Sequence, residues 1–416
     1  MSRIVVVGAG VIGLFSALNA LRRGFDVTVV DREPAGQRGC SFGNAGMIVP
    51  SHFVPLAAPG MVRLGLRMMM NPASPFHVKP RLSMDFASWA WRFTRASTPA
   101  HVQRAAPLLR DLALASRAHY EALAAESGAD FGLVRHGMLL VCKSAHALEE
   151  EAHVAEQARS LGIAATTLDA RAARALDPLL QDDVSGAVHY PMDGHLDPER
   201  LMARLQARVV AEGANVLRET EVTGFSFNGS TLRSATTRHG DVEGDTFVLC
   251  GGVWSPGLAR SLALSIPIEA GKGYSVTVRK PAGFAAHCAI LSEARVAVTP
   301  MGEQLRVGGT MQLAGLDASI DRRRVKAVTG ALSRYYRNID DDALCSARPW
   351  AGLRPCTPDG LPYIGRPRRY QNLVIAAGHA MMGVSLGAVT GSIVGDLLER
   401  RAPPFDMSLL SPDRFH

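Results

Sequence analysis

Apolar and polar positions follow two different periods along this chain, and their order predicts a mixed α/β protein. Residues 3–7 are almost wholly apolar, which is typical of a strand buried on both faces. Helical spacing follows over 14–23, Gly24 ends it, and a second apolar run spans 26–30. The N-terminal segment is therefore predicted to form one βαβ unit.

The remaining chain is predicted to alternate helices and strands. The glycine- and proline-rich stretch 36–80 is predicted to be a loop, and loops of that length are usually functional. Helical periodicity covers 105–127, 145–161, 198–212, 322–336 and 382–400. Strands are predicted at 138–142, 184–189, 271–279, 289–297, 304–309 and 372–377, and strands that return to the first sheet at 215–223 and 246–250.

The length of 416 residues exceeds what one compact core usually holds, which favours two joined domains. We predict an α/β fold in which a Rossmann-type cofactor domain carries an inserted α+β substrate domain built on an antiparallel sheet. The cofactor domain is predicted to be discontinuous, with the pieces 1–60, 198–260 and 350–416. The substrate domain would take 61–197 and 261–349.

The turn after the first strand carries the spacing Gly-x-Gly-x-x-Gly where the first helix begins. Such glycines allow a tight turn and let a pyrophosphate approach the helix N-terminus, whose free N–H groups favour negative charge. Asp31 closes the second strand, where its carboxylate can accept hydrogen bonds from a ribose. This fingerprint alone does not separate NAD from FAD. The cofactor contacts predicted here are Gly8, Gly10, Val11, Ile12, Gly13 and Asp31.

Two later glycine-rich stretches favour FAD. Residues 250–254 follow a strand where the backbone must pass near a dinucleotide, and 377–385 join a strand to a helix, so their N–H groups can face an electron-rich ring. The sequence has no second Gly-x-Gly-x-x-Gly that would indicate an NAD(P)H domain, so the substrate itself is expected to donate the electrons. The contacts predicted in these stretches are Gly251, Trp254, Gly378, His379, Met382, Gly383, Val384 and Ser385.

Charge and cysteine usage exclude several classes of function. The formal net charge is +7, but the arginines are scattered and form no basic run interleaved with aromatics, so nucleic acid is not expected. The six cysteines form no CxxC pair and no zinc-ligand spacing with histidine, which predicts reduced thiols and no metal site. The N-terminal apolar run has regularly spaced glycines, unlike a signal peptide, and no apolar stretch reaches the roughly 20 residues of a spanning helix. The expected location is cytoplasmic, with peripheral contact to the inner face of the membrane left open.

Sequence stretches along the whole chain are similar to those of one known family. Residues 350–365 are the most specific of them, since few folds need Trp-x-Gly-Leu-Arg-Pro-x-Thr-Pro-Asp-Gly. The stretches are VVVGAGVIGL at 5–14, VTVVDRE at 27–33, GNAGMI at 43–48, LAAPGM at 56–61, CGGVWSP at 250–256, GKGYSV at 271–276, WAGLRPCTPDGLPYIG at 350–365 and AAGHAMMGVSLGAVTG at 376–391. On these residues the chain resembles the D-amino-acid oxidase/dehydrogenase superfamily of FAD proteins, and most closely the bacterial D-amino-acid dehydrogenases.

The resemblance implies roles for the matched positions. Arg354 would bind the substrate carboxylate with both arms of its guanidinium, with a salt bridge between domains as the alternative. Tyr274 would be a second carboxylate or amine contact, with core packing as the alternative. Residues 44–46 would lie against the flavin ring, and 378–385 would hold its N1–C2=O edge. The remaining predicted cofactor contacts are Arg32, Ser41, Asn44, Ala45, Gly46 and Val222.

Two further side chains leave alternatives open. His52 could line the substrate pocket and accept a hydrogen bond from a ring hydroxyl, or it could be a structural loop histidine. Cys356 invites a covalent flavin thioether, but its spacing from Pro358 and Asp359 differs from that of the attachment cysteine in amine oxidases. Non-covalent FAD is therefore expected.

Methionine, tryptophan and arginine combine on amphipathic stretches at 61–70 and 84–95. This composition suits an interfacial helix near a quinone-bearing membrane, and it equally suits a substrate-domain core covered by arginine stems. The spacing Gly387-x-x-x-Gly391-x-x-x-Gly395 is typical of close helix packing, here of a soluble helix because Asp396 follows at once.

These features predict hydride transfer from the substrate Cα to flavin N5, with Arg354, Tyr274 and His52 at the reacting centre. The run 41–53 is similar to enzymes of bacterial hydroxyproline catabolism, which favours D-proline or cis-4-hydroxy-D-proline as substrate and a quinone or another acceptor for the electrons. The rival functions are an oxidase that uses oxygen, a 2-hydroxy-acid dehydrogenase of the same fold and a non-catalytic flavin-binding subunit.

Overall fold

The computed structural model describes residues 1–34, 39–69, 74–79, 81–126 and 130–415. Its helices are α1 (Val11–Arg22), α2 (Met61–Met69), α3 (Met84–Ala96), α4 (Pro99–Ala125), α5 (Ala145–Ser160), α6 (Ala170–Leu176), α7 (Pro198–Ala211), α8 (Ser255–Ser261), α9 (Arg322–Tyr335), α10 (Asp341–Ser346) and α11 (Gly387–Leu398). Its strands are β1 (Arg3–Val7), β2 (Asp26–Val30), β3 (Met47–Ile48), β4 (Phe76–Val78), β5 (Met138–Cys142), β6 (Thr166–Asp169), β7 (Gly186–Tyr190), β8 (Gly194–His195), β9 (Asn215–Leu217), β10 (Val222–Asn228), β11 (Thr231–Thr237), β12 (Gly240–Glu243), β13 (Thr246–Leu249), β14 (Glu269–Arg279), β15 (Cys288–Leu291), β16 (Val296–Met301), β17 (Gln304–Leu313), β18 (Trp350–Cys356), β19 (Tyr363–Gly365) and β20 (Leu373–Ala377).

The first sheet has the strand order β19-β20-β13-β1-β2-β9, and all its pairings are parallel except that of β19 with β20. Its strands alternate between two apolar layers, as strands buried on both faces must. Ile4 and Val6 pack in one layer with α1, whereas Val5 and Val7 pack in the other with β10, β11 and α8. The carboxyl end of β1 is thereby fixed against the start of α1.

Helix α11 packs closely against α1 through its spaced glycines. A Cβ added to Gly391 would lie 2.6 Å from the carbonyl oxygen of Phe15, and one added to Gly387 would touch Val11 and Phe15. An added Cβ at Gly395 would collide with the guanidinium of Arg23, which also pairs with Asp396. The three glycines therefore serve helix packing on the first sheet, as the sequence indicated.

The second large sheet has the order β18-β14-β17-β16-β15-β5-β7-β6, with β4 paired to β17. Its pairings are antiparallel except those of β15 with β5 and of β17 with β4. Helix α9 covers one face, where Val328 and Leu332 pack with Val298, Leu305 and Val307. The other face is turned toward the loop 39–46 and carries the polar side chains described below.

The predicted mixed α/β architecture and the N-terminal βαβ unit are confirmed. The predicted loop 36–80 is wrong for its described part, because it contains β3, α2 and β4. Helix α2 buries no residue. A loop was predicted in spite of the amphipathic pattern of 61–70 because the stretch is rich in glycine and proline and Gly65 lies within the helix itself.

Several predicted elements are wrong in their extent, among them the helix predicted at 105–127, which begins at Pro99. The strand predicted at 289–297 is two strands, β15 and β16, joined by a turn in which Arg295 has a left-handed φ of 53°. The strand predicted at 215–223 ends at Leu217, and Val222 begins the separate sheet β10-β11-β12. The final helix begins at Gly387 and not at 382, because residues 380–382 form a 3₁₀ turn.

Strand β18 lies in the second large sheet, beside β14, although the sequence division gave 350–416 to the cofactor domain. Its register sets Gly271 opposite Arg354 and Ser275 opposite Trp350. The domain boundaries remain a prediction. The pairing nevertheless means that Arg354 is carried by the same sheet as β14 and β17.

Candidate active site

The turn between β1 and α1 has room for its close contacts only because of glycine. Gly8 has a φ of 108°, and an added Cβ would lie 2.6 Å from the carbonyl oxygen of Cys250. An added Cβ on Gly13 would collide with the carbonyl of Gly8. The first turn of α1 carries no acidic residue, and Gly10 at its N-cap offers no side chain to it. The positive end of the helix dipole is therefore available to an anion.

Asp31 stands beside this turn at the end of β2. One carboxylate oxygen accepts from the backbone N–H of Ala9 (2.5 Å) and the other from that of Glu33 (2.8 Å). A carboxylate has about four acceptor positions, so two backbone bonds leave capacity for ribose hydroxyls. The guanidinium of Arg32 stacks on the indole of Trp254, 3.7 Å from the ring centroid, and closes this end of the site.

A cavity of about 490 Å³ runs from Asp31 past the start of α1 to the stretch before α11. We call it the cofactor cavity. Three acidic residues line it, Asp31, Glu33 and Glu221, and none belongs to the first turn of α1. The predicted contacts that line it are Gly8, Gly10, Val11, Ile12, Asp31, Arg32, Ser41, Asn44, Val222, Gly251, Trp254, Gly378, His379, Gly383 and Val384. A cavity lined by a carboxylate with free acceptor capacity, by an open helix N-terminus and by two further glycine-rich stretches fits FAD.

Five predicted contacts lie outside the lining of the cofactor cavity. Ala45 and Met382 line the neighbouring second cavity instead. Gly13 and Gly46 pack against backbone, where an added Cβ would collide with the carbonyls of Gly8 and Leu196 respectively. Ser385 is buried and its hydroxyl accepts from the N–H of Val49 (3.2 Å). These last three residues shape the walls without reaching the cavity.

Several residues of the cofactor cavity were not predicted from the sequence. The start of β10 and the segment before it supply Thr220, Glu221 and Thr223, and β18 supplies Leu353 and Pro355. Their only sequence signal was proximity to Val222 and to Arg354. The strand prediction there ran past the true end of β9, so the approach of β10 to the site was not visible.

A second cavity of about 480 Å³ meets the cofactor cavity at Cys40 and Asn44, which line both. Arg354, Tyr274 and His52, the three residues predicted at the reacting centre, all contribute to its wall. Most of the remaining wall is apolar and comes from α2, α3 and the second large sheet, including Met61, Phe76, Trp89, Phe93, Met311 and Trp350.

Arg354 lies on β18, the edge strand of the second large sheet, and it lines this cavity together with Arg295. One arm donates to the carbonyl of Thr310 (2.6 Å), and an added Cβ on Gly273 would collide with the guanidinium. No described carboxylate forms an ion pair with it, which removes the domain-bridging salt bridge as its explanation. Loss of solvation lowers the pKa of Arg354, with the thiols of Cys40 and Cys356 as weaker opposing influences. An enclosed guanidinium without an acidic partner is suited to bind a ligand carboxylate.

His52 is partly exposed and faces the second cavity. Burial lowers the pKa of its imidazole to about 4, so the ring is neutral near pH 7. Its Nδ1 lies 3.4 Å from the hydroxyl of Ser51, which donates to a carboxylate oxygen of Asp193. Burial also raises the pKa of Asp193 to about 7. A series of polar groups therefore links the buried Asp193 to the cavity wall.

The side chains of Tyr274 and Arg354 point to opposite faces of the second large sheet. Successive side chains of β14 alternate in direction, and Gly273, which contacts the guanidinium of Arg354, precedes it directly. Its hydroxyl donates to Gln312 Oε1 (2.8 Å). The structure does not bring this hydroxyl to the guanidinium, although Tyr274 contributes to the wall of the second cavity.

Cys356 is buried in the wall of the second cavity and does not line the cofactor cavity. Burial, opposed by Arg354, raises the pKa of its thiol to about 12, so it remains protonated and is a poor nucleophile. Its carbonyl accepts from the indole N–H of Trp89 (2.9 Å). These surroundings suit a packed thiol.

Helices α2 and α3 carry both cavity-lining and exposed apolar side chains. Met61, Leu66 and Trp89 line the second cavity, and Leu66 is also 63% exposed. Met84 and Trp91 lie outside that lining and are 85% and 58% exposed. None of the helices in the described ranges combines the length and the apolar character needed to cross a bilayer. Within those ranges, no three His, Cys, Asp or Glu side chains are grouped so as to hold a metal ion.

Comparisons with known proteins agree with this geometry. A family model described as FAD dependent oxidoreductase matches residues 3–397. A D-amino acid dehydrogenase of Granulibacter bethesdensis is 32% identical over 424 residues, covering 99% of each chain. A D-amino-acid oxidase of Bradyrhizobium diazoefficiens is 30% identical over 416 residues, covering 99% of this chain and 98% of the relative. The crystal structure of glycine oxidase from Geobacillus kaustophilus matches with a TM-score of 0.79 at 24% identity, covering 99% of this chain and 98% of that one.

Proposed function

Because this chain belongs to the family of FAD-dependent oxidoreductases, we propose that it dehydrogenates a D-amino or cyclic imino acid bound in the second cavity. Bound FAD supplies the chemistry, since it accepts the hydride that leaves the substrate Cα. The single observation that carries the proposal is Arg354, an enclosed guanidinium without an acidic partner among the described residues, in a cavity that adjoins the cofactor cavity.

Arg354 fixes the substrate by its carboxylate and so turns the Cα–H toward the cofactor cavity. Its guanidinium donates to the carbonyl of Thr310 and packs against Gly273, where any side chain would collide with it. The arginine side chain therefore has little conformational freedom left to lose when a ligand binds. Catalysis by this protein is then mainly positioning. The clamp also selects against amines that lack a carboxylate, because such ligands leave the guanidinium unpaired.

The favoured substrates are D-proline and cis-4-hydroxy-D-proline. The neutral imidazole of His52 in the cavity wall supports the hydroxylated ring, since it can accept a hydrogen bond from the ring hydroxyl. A second candidate is an acyclic D-amino acid with a large apolar side group. The aromatic and methionine wall formed by Met61, Phe76, Trp89 and Phe93 favours it.

FAD is proposed to bind without a covalent link. Asp31 would hold the ribose, the start of α1 the pyrophosphate, and Asn44 would stand beside the flavin ring where both cavities meet. Acid precipitation of the holoprotein should therefore leave yellow FAD in the supernatant. Colour that stays with the pellet would point to a covalent anchor, and a Cys356→Ala variant would then identify it.

A quinone is proposed as the electron acceptor, with α2 and α3 in peripheral contact with the inner face of a membrane. The exposed apolar side chains Leu66, Met84 and Trp91 support this, and Arg63 and Arg95 are exposed beside them. Stopped-flow reoxidation of substrate-reduced protein should be much faster with a soluble quinone than with air-saturated buffer. Equal or faster reoxidation by oxygen, with stoichiometric hydrogen peroxide, would make the protein an oxidase.

An anaerobic screen tests the substrate class directly. D-proline and cis-4-hydroxy-D-proline should bleach the flavin absorbance faster than D-phenylalanine or D-leucine do. Faster bleaching by the acyclic pair would select the second candidate. Bleaching by 2-hydroxy acids alone, or by no member of the panel, would contradict the proposed dehydrogenation of amino or imino acids.

A further inference from the structure

The loop that lines both cavities is held by one face of the second large sheet. The carbonyl of Gly43 accepts from the hydroxyl of Ser275 (3.0 Å), and that of Ala45 accepts from the hydroxyl of Thr299 (2.7 Å). The guanidinium of Arg306 donates to the other two carbonyls of this segment, those of Phe42 (2.9 Å) and Asn44 (3.2 Å). Four consecutive carbonyls are thus fixed by side chains of β14, β16 and β17.

Register explains why these three strands act together. Arg306 lies opposite Thr277 on one neighbouring strand and opposite Thr299 on the other. Because side chains alternate along a strand, Ser275 points to the same face as Thr277, and so does Arg354 on β18. One rigid sheet face therefore carries both the clamp for a carboxylate and the contacts that hold the loop 42–45.

Arg306 is itself fixed from several sides. Its Nε donates to the hydroxyl of Thr277 (3.0 Å), and one terminal nitrogen contacts a carboxylate oxygen of Glu199 (2.6 Å) on α7. Its side chain is 4% exposed. A planar guanidinium can serve all these partners at once, whereas the ammonium of lysine cannot span the two carbonyls and the hydroxyl with the same geometry.

We propose that Arg306 is a positioning residue that sets the loop 42–45 against the flavin relative to the carboxylate clamp of Arg354. Asn44 lines both cavities, so any shift of this loop changes the separation of the cofactor from the substrate. Arg306 lines neither cavity and acts only through the loop. The kinetic consequence of this inference rests on the proposed function; its spectroscopic consequence does not.

Arg306→Lys tests the inference, with Arg324→Lys as a matched control. Arg324 is similarly buried (5% exposed) but donates to the carbonyl of Ser74, outside the loop. In each variant we would measure FAD content, the dissociation constant of acetate from flavin absorbance changes, the visible circular dichroism of bound flavin, and the anaerobic limiting rate of flavin reduction.

Arg306→Lys should retain FAD and change acetate binding by less than about threefold, because Arg354 is untouched. The limiting reduction rate should fall by about tenfold to a hundredfold, since a misplacement near 1 Å has that effect, and the visible circular dichroism should change. Arg324→Lys should leave the limiting reduction rate and the visible circular dichroism close to those of the wild type. An unchanged reduction rate and an unchanged dichroism in Arg306→Lys would overturn the inference, even if the variant melts at a lower temperature.

Two further variants keep the test decisive if Arg306→Lys fails to fold. Thr299→Val and Ser275→Ala each remove one contact to the loop and should give the same changes to a smaller degree. If both leave the rate and the dichroism unchanged, the inference is overturned. If no amino or imino acid reduces the wild-type flavin, the proposed function fails, but the dichroism of the Arg306 variant still decides this inference.

Discussion

The two cavities of this protein are built in different ways. The cofactor cavity has at its centre one continuous run of sequence from Gly8 to Asp31, in which a glycine turn and a helix N-terminus offer backbone N–H groups. The second cavity draws Arg354, His52 and Trp89 from distant segments, and strand register decides which side chains face it. The first kind of site depends on local conformation, and the second depends on pairings between strands far apart in sequence.

The proposed substrate clamp provides the strongest test of this difference, because a single side chain, Arg354, would form it. Arg354→Lys should lower kcat/KM by roughly two to four orders of magnitude, or about 3–5 kcal/mol of transition-state binding. An ammonium cannot hold a carboxylate by two parallel bonds. Steady-state kinetics and the flavin absorbance per protein would measure the effect, and flavin content should stay constant.

The control for that variant is Arg295→Lys, an exposed guanidinium at the edge of the same cavity, which should change kcat/KM by less than about threefold. A loss within about tenfold for Arg354→Lys would remove Arg354 from the site. Loss of flavin together with activity would mean that the two cavities cannot be separated experimentally.

The contrast between the cavities also explains which parts could be read from the sequence. The βαβ unit and the contacts from Gly8 to Ile12 follow from local rules, because a strand–helix turn that requires a φ of 108° is readily formed only by glycine. Arg354 was found only through a family resemblance. Nothing in its local pattern says that Gly273 faces it, since that fact depends on the pairing of β14 with β18.

Strand register also explains why Arg306 was not predicted and where the side chain of Tyr274 lies. An arginine between the apolar residues Leu305 and Val307 of β17 was the available signal, but only register shows that it reaches the carbonyls of the loop. Tyr274 lies in a matched motif, yet alternation along β14 directs its hydroxyl to Gln312. A motif gives residue identities, whereas the side of the sheet depends on three-dimensional pairing.

The next largest effect is expected in the pH dependence of protein stability, because Asp193 is buried behind the second cavity. Its carboxyl pKa is raised from 3.8 to about 7 by burial. A group whose pKa is raised on folding stabilises the fold below its unfolded value, and this stabilisation is lost as pH rises through the folded value. The contribution of Asp193 to the free energy of unfolding should therefore fall by up to about 4 kcal/mol between about pH 4 and 8.

Asp193→Asn isolates this effect from other titrating groups. The melting temperature of the wild type minus that of the variant should decrease as pH rises from about 5 to 8, measured by differential scanning calorimetry. The opposite slope would mean that Ser51 and the neighbouring charges hold Asp193 ionised in the folded protein.

Two glycine variants sharpen the comparison from the cofactor side. Gly8→Ala should destabilise the protein even without FAD, by about 1–3 kcal/mol, because its φ is left-handed and the new Cβ meets the carbonyl of Cys250. Gly10→Ala should leave the apoprotein stable, since its Cβ would only approach the Ser41 hydroxyl at 3.7 Å. It should still weaken FAD binding, because the methyl group would stand where the pyrophosphate approaches the helix.

Apoprotein melting and FAD titration by fluorescence quenching would separate the two variants. Equal affinity of Gly10→Ala and wild type for FAD would place the pyrophosphate away from the start of α1. A Gly8→Ala variant of wild-type stability would show that the turn relaxes without cost, and the site would then depend less on local conformation than we argue.

The smallest expected effect concerns His52, which separates the substrate candidates. His52→Phe removes a hydrogen-bond acceptor from the cavity wall, and one such bond to a neutral group contributes about 1 kcal/mol. The ratio of kcat/KM for cis-4-hydroxy-D-proline over D-proline should therefore fall by about fivefold. His52→Gln, which keeps an acceptor, should recover part of this ratio. Because burial lowers the pKa of His52 to about 4, the ring stays neutral and the wild-type ratio should be constant above about pH 6. An equal loss with both substrates would assign His52 to the shape of the cavity, and hydroxyl recognition would have to come from elsewhere.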